Sequence, residues 1–173
     1  MKAVVVYESL WGNTAAIARA IAEGLGAGTR ALSTAEALAD AITGADLLVA
    51  GAPVHSLSLP TEASRESART GGLGPGKAPP DLSHPPMRAW LERLARGSGR
   101  AAAFDTRVDA WYGRGAAPLI LRGLERAGYR RLTNARGFFV SGHRIVPTAS
   151  GVLRPGEVDR AREWGAELAR MMA

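Results

Sequence analysis

Val4-Val5-Val6-Tyr7-Glu8-Ser9-Leu10-Trp11-Gly12-Asn13-Thr14 opens the chain, and its reading decides the fold. Three valines and a tyrosine, with no charge between Lys2 and Glu8, read as a strand buried on both faces. β-Branched side chains fit a pleated surface, and an unbroken apolar run leaves no face for water. Ser9, Gly12, Asn13 and Thr14 then form a small polar run that opens a helical pattern, Ala15 to Leu25. Strand, hydroxyl- and glycine-bearing turn, helix start is the order an anion site needs. The first N–H groups of a helix lack intrahelical partners, and the helix dipole favours negative charge there. Ser9 and Thr14 can add hydroxyl donors, and Gly12 lets the backbone approach a phosphate closely. The turn holds no Lys or Arg, so dipoles and not ion pairs would hold the anion. An ordinary βα turn, whose Ser, Asn and Thr only cap the helix, is the alternative.

Outward from this stretch, composition bounds the rest. At 173 residues the length prior gives a single domain, long enough to bury a full core. A hydrophobic content of 46% and a charged content of 22% are those of a soluble globular protein. No apolar run reaches the length of a membrane span, and no basic-then-apolar leader is recognised, so no membrane role is expected. The absence of cysteine excludes disulfides, thiolate metal sites and cysteine nucleophiles, and makes a reducing cytoplasm the expected location. His55, His84 and His143 are too far apart for a zinc motif, so no metal is expected.

The formal charge is +6 and the pI about 10.7, with lysine only at positions 2 and 77. The arginines sit singly among alanine and glutamate, without a basic run or interleaved aromatics, so they read as solvated helix faces and no nucleic-acid partner is expected.

Along the chain, Gly24, Gly26 and Gly28 should stop the first helix, whose inward stripe is Ile17, Ile21 and Leu25. Thr29–Leu32 is a weak strand. Ser33-Thr34-Ala35-Glu36 has the form of a capping box ahead of a helix Ala35–Ile42. Asp46–Gly51 is a second buried strand, ended by Pro53. Residues 53–86 hold seven prolines and four glycines and read as turn and loop, with one exposed helix Thr61–Arg69 and a mobile stretch near 70–80. A helix Met87–Arg96, a short strand Arg100–Phe104, and a loop Asp105–Gly115 follow. Then come a helix around Leu119–Leu124, a strand Phe138–Val140, and a final helix Glu157–Met171 with Val158, Ala161, Trp164 and Leu168 inward. Strands alternating with helices predict an α/β fold, a parallel sheet covered on both faces.

Val5-Val6-Tyr7-x-Ser9-x-x-Gly12-x-Thr14-x-x-x-Ala18-x-x-Ile21 resembles the flavodoxin signature, the loop that wraps the phosphate of FMN. Neither the dinucleotide fingerprint nor the P-loop is present. Gly51-x-Pro53-x-His55, Phe104-Asp105-Thr106-Arg107 and Phe138-Phe139-Val140-x-Gly142 also resemble the family, so the likeness spans nearly the whole chain. It implies a flavodoxin-like three-layer sandwich, a five-stranded parallel sheet of order 2-1-3-4-5, with FMN at the crevice between strands 1 and 3; flavodoxin is itself the standard example of this rule.

The resemblance also implies the site. Ser9, Leu10, Trp11, Gly12, Asn13 and Thr14 would hold the phosphate. Pro53, Val54, His55 and Ser56 of the second loop, with Asp105, Thr106, Arg107, Trp111 and Tyr112 of the third, would flank the ring. His55, Trp111 and Tyr112 are the stacking candidates, and Trp11 stands where the family often has a small hydroxyl residue. Arg107 is expected at the pyrimidine edge, where its charge would favour the reduced, anionic flavin.

No nucleophile elbow, triad or carboxylate pair is recognisable, so no catalytic residue is assigned and a cofactor would supply the chemistry. The function implied is electron transfer to a redox partner protein or a small-molecule acceptor. The alternatives are an FMN-dependent NAD(P)H:quinone-type reductase and a module that has lost FMN. The basic charge departs from electron-carrying flavodoxins, which are usually acidic.

Overall fold

The computed structural model describes residues 1–55, 57–71, 79–109, 115–141 and 152–173. Ser56, Gly142, residues 72–78 and residues 110–114 of the third loop, with Trp111 and Tyr112, lie outside the described residues. The element order is β1 (Ala3–Tyr7), α1 (Asn13–Leu25), β2 (Arg30–Ser33), α2 (Ala39–Ile42), β3 (Leu47–Pro53), α3 (Glu62–Gly71), α4 (Met87–Arg93), β4 (Arg100–Val108), α5 (Ala117–Arg126), β5 (Arg130–Arg131), β6 (Arg136–Val140) and α6 (Glu157–Met172).

The strands form one parallel sheet of order β2-β1-β3-β4-β5, with β6 also paired to β4. Alternation along each strand builds two apolar layers. Val4, Val6, Leu48, Ala50, Ala101 and Ala103 pack toward Ile42, Trp90 and Ile120 of α2, α4 and α5. Val5, Leu47, Val49, Ala102, Phe104 and Phe138 pack toward Ile17 and Ile21 of α1 and Trp164 and Leu168 of α6. The expected three-layer α/β architecture and strand order are therefore present. The fifth position is filled by two short strands. β5 pairs Arg130 with Arg100, and β6 pairs Arg136 with Phe104, so two extra residues bulge out between them.

Other boundaries move for physical reasons. β4 runs to Val108, so Asp105, Thr106 and Arg107 belong to the strand and not to the loop expected there. Ser33 and Glu36 do form reciprocal bonds (Ser33 N–H to Glu36 Oε2, 2.8 Å; Glu36 N–H to Ser33 Oγ, 3.3 Å). They close an isolated turn, however, and α2 begins only at Ala39. α4 ends at Arg93. In α6 the buried first-turn residue is Glu157, whose Oε2 accepts the N–H of Phe139 at 2.7 Å; Val158 is exposed. Gly24 lies inside α1 against α6 and does not stop the helix. No described helix is long and apolar enough to cross a membrane.

Candidate functional site

At the carboxyl edge of the sheet, two loops meet the end of β4 at the crevice between β1 and β3, where connections leave the sheet in opposite directions. The first is the Ser9–Thr14 loop. Gly12 takes φ 88°, a left-handed conformation that suits glycine, and stands at the N-cap of α1. Its N–H donates to Ser9 Oγ at 3.1 Å, and its carbonyl accepts the N–H of Ala16 at 2.9 Å. Thr14 is buried, and its hydroxyl shares a hydrogen bond of 2.8 Å with that of Thr106. Thr106, placed by the extension of β4, thus joins the loop directly.

The second segment follows β3. Val54 N–H donates to Thr106 carbonyl at 2.9 Å, which prolongs the sheet past Pro53. His55 and Ser58 exchange backbone hydrogen bonds of 2.9 and 3.0 Å, closing a tight turn in which Leu57 has φ 64°. A left-handed backbone costs an L-residue roughly 1–2 kcal/mol. The His55 ring centroid lies 5.9 Å from that of Trp11, tilted by 30°. His55, one of the stacking candidates, is therefore brought against Trp11 of the first loop.

His55 is 3% exposed, and its Nε2 has no hydrogen-bond partner among the described residues. Burial, and secondarily the positive charge of Arg65, lower its pKa from 6.5 to about 4. The imidazole is neutral at pH 7. Because the unfolded chain binds this proton more readily, stability is complete above pH 6.5 and is lost as the pH falls toward 4. One pKa unit is about 1.4 kcal/mol, so the loss reaches up to about 3 kcal/mol. In His55→Phe, denaturant midpoints measured between pH 7 and 4 should fall less steeply than in the wild type. Parallel curves would mean that the imidazole is solvated.

Beneath the loop lies a buried polar cluster that sequence reasoning missed. Glu8, fully buried, pairs with Arg65 of α3, and its Oε2 accepts the N–H of Met87 at 2.8 Å, capping α4. Arg65, 5% exposed, also donates to the carbonyl of His84 at 2.8 Å. His84 Nε2 lies 2.9 Å from the Ser9 carbonyl. A carbonyl only accepts, so Nε2 carries the hydrogen. Asp81 N–H donates to the Leu10 carbonyl at 2.8 Å. The loop is thus held from behind by residues 65 and 81–87, far from it in sequence. The one available signal was a glutamate ending an otherwise apolar strand.

Asp105 makes a second cap. Its Oδ2 accepts the N–H groups of Ala116 and Ala117 at 2.8 and 2.9 Å, at the N-terminus of α5. Arg107 Nε lies 3.1 Å from Asp105 Oδ1, an ion-pair distance, although neither atom has an aligned hydrogen bond. Burial raises the pKa of Asp105, opposed by Arg107 and the two N–H groups. Asp105 therefore already caps α5, and the charge of Arg107 stands beside an opposite charge. Of the expected site residues, Ser9–Thr14, Pro53, Val54, His55 and Thr106 converge. Asp105 and Arg107 are set on the α5 side, and Ser56, Trp111 and Tyr112 lie outside the described residues. No described group of three or more His, Asp or Glu residues could hold a metal ion.

No protein-family model and no curated protein matches the sequence. Solved structures do match. A flavodoxin from the domain Archaea superposes with a TM-score of 0.63 at 18% identity, over 99% of both chains. Oxidised flavodoxin 1 from Bacillus cereus gives 0.60 at 17% identity, over 98% of both. A flavodoxin described as WrbA-like, from Agrobacterium tumefaciens, gives 0.57 at 17% identity, over 99% of this chain and 96% of that one. The chain has the flavodoxin-like fold.

Proposed function

We propose that this chain binds FMN at the Ser9–Thr14 loop and acts in electron transfer, with a partner protein or a small molecule as the other redox component. The observation that carries the reading is the loop itself. A neutral, hydroxyl-bearing turn with left-handed Gly12 delivers the N-terminus of a 13-residue helix to the β1/β3 crevice. The residues present fit the group. Ser9 and Thr14 supply hydroxyls beside the helix N–H groups. The Nε2 of buried His55, which has no hydrogen-bond partner among the described residues, would offer one polar contact beside the half-buried Trp11, as a planar, mostly apolar ligand requires. When bound, the flavin supplies the redox chemistry, accepting one electron or a hydride. The protein's part is to hold the phosphate through uncharged donors and to keep a neutral imidazole near the ring.

Fluorescence titration tests the assignment. FMN should bind far more tightly than riboflavin, which lacks the phosphate. Thr14→Ala should weaken FMN by about 1–3 kcal/mol, the cost of a lost donor with Thr106 left unpaired, and leave riboflavin nearly unchanged. Equal affinity for the two ligands would remove the loop from the site.

A further inference from the structure

At the opposite end of the sheet, a cavity of about 660 Å³ opens between the start of β4, the turn before it and the strand β5. Its size is that of a small-molecule site. Three guanidinium-bearing residues line it: Arg96, Arg100 and Arg130. Elsewhere Arg65, Arg69, Arg107, Arg131, Arg136, Arg154, Arg160 and Arg162 each pair with a carboxylate, while Arg19, Arg30, Arg88, Arg93, Arg122, Arg126 and Arg170 have no ion pair among the described residues. The three in the cavity likewise have no carboxylate partner among the described residues. Asp46, the acidic residue in the lining, has its Oδ2 taken by the backbone N–H of Lys2 at 2.7 Å.

The floor is fixed by backbone bonds from three sides. Gly97 N–H donates to Ala127 carbonyl at 2.9 Å, Arg130 N–H to Gly99 carbonyl at 2.9 Å, and Arg100 N–H to Asp46 carbonyl at 2.7 Å. Gly99 has no room for a side chain, since a Cβ there would meet the Asp46 carbonyl oxygen at 2.8 Å. Tyr129, its ring against Gly97, and Met172 complete the wall with apolar surface. The arginines are therefore carried by a rigid rim. Like charges converging on a concave surface raise the local potential, and planar guanidinium groups match phosphate oxygens two at a time.

We infer that this cavity binds a small ligand carrying two or more linked phosphate groups, independently of the Ser9–Thr14 loop. β4 spans nine residues between the two ends, which sets them apart by roughly 25 Å at strand rise. The shared chemistry is the oligophosphate, free or as part of a nucleotide.

The test is isothermal titration of the full chain with inorganic pyrophosphate and, separately, with ADP, with and without saturating FMN. Pyrophosphate should bind saturably, with affinity unchanged by FMN or by Thr14→Ala. It should weaken at least tenfold in Arg100→Gln/Arg130→Gln. The remote pair Arg19→Gln/Arg69→Gln, which lies outside the cavity lining and removes the same net charge, should not change it. ADP tighter than pyrophosphate identifies a nucleotide ligand that uses the Tyr129 wall; equal affinity identifies the free oligophosphate. Competition by FMN, an equal loss in the remote pair, or no saturable binding would each overturn the assignment. Thermal melts of both double variants separate lost binding from lost fold.

Discussion

Arg65→Met should destabilise the protein by about 3–5 kcal/mol, the cost of leaving one member of a buried ion pair without the other. Glu8 is fully buried and Arg65 is 5% exposed, so water cannot replace the missing partner. Burial already raises the pKa of Glu8 against the opposing N–H of Met87 and charge of Arg65. Removing the arginine raises it further. A carboxyl with a raised folded pKa loses stability as the pH climbs through that value and regains it below, where the group is neutral. The deficit of the variant should therefore be largest at neutral and alkaline pH and shrink in acid. Glu8→Gln/Arg65→Met should recover part of it, because no uncompensated charge remains. Urea unfolding of the wild type and the variants across pH measures all three effects. A loss below about 1 kcal/mol, with no pH dependence, would place the pair in water.

The same substitution bears on the proposed cofactor site. Arg65 holds the carbonyl of His84, whose ring holds the carbonyl of Ser9. Loss of that strut should weaken FMN in the molecules that remain folded, with the selectivity for FMN over riboflavin retained, since the donors themselves are intact.

Why this cluster escaped the sequence is clear from its spacing. Glu8 and Arg65 stand 57 positions apart and Ser9 and His84 stand 75 apart, and neither pair carries a local periodicity. The elements that were legible are those whose pattern is local: the valine run of β1, the apolar run of β3, and the amphipathic α1 and α6. The flavodoxin signature located the loop for the same reason, because strand, turn and helix start are contiguous. Asp105-Thr106-Arg107 reads as loop, because polar residues at the end of a strand usually face water. Here Asp105 Oδ2 caps the N-terminus of α5, the Thr106 hydroxyl meets that of Thr14, and Arg107 stands at ion-pair distance from Asp105, so the strand continues with most of its polar groups engaged inside the protein. The division of the fifth strand has no counterpart in hydrophobicity, since Arg130 and Arg131 look like surface in any reading.

Glycine in α1 was misread for a different reason. A glycine near a helix end is usually a stop signal, and Gly26, at φ 105°, does end the helix. Gly24 lies two residues earlier, with Gly165 of α6 opposite. A Cβ on Gly24 would fall inside the van der Waals contact of the Arg162 carbonyl oxygen and 2.9 Å from the Ala166 nitrogen. A Cβ on Gly165 would collide with the Ile21 carbonyl and lie 3.1 Å from the Gly24 Cα. The two backbones touch there, and the layer containing Ile17, Ile21, Trp164 and Leu168 is built on that approach.

Two effects oppose each other in a substitution at Gly24. Helix propensity favours alanine over glycine by about 1 kcal/mol in a helix interior. Packing opposes any side chain, because the neighbour is backbone and cannot rotate away. Forcing atoms into a packed site costs about 1–3 kcal/mol, and occasionally more. Packing wins, so Gly24→Ala should lower stability by about 1–2 kcal/mol. Gly24→Val, which adds two methyl groups and loses the propensity gain, should lose at least about 3 kcal/mol. At this chain length, that corresponds to a fall in Tm of roughly 6–12 °C. Gly28→Ala is the control, because no atom lies within 4 Å of a Cβ there and only the left-handed backbone (φ 90°) resists it. A Gly24→Ala variant as stable as the wild type would mean that α1 and α6 stand apart in solution and that propensity alone acts at this position.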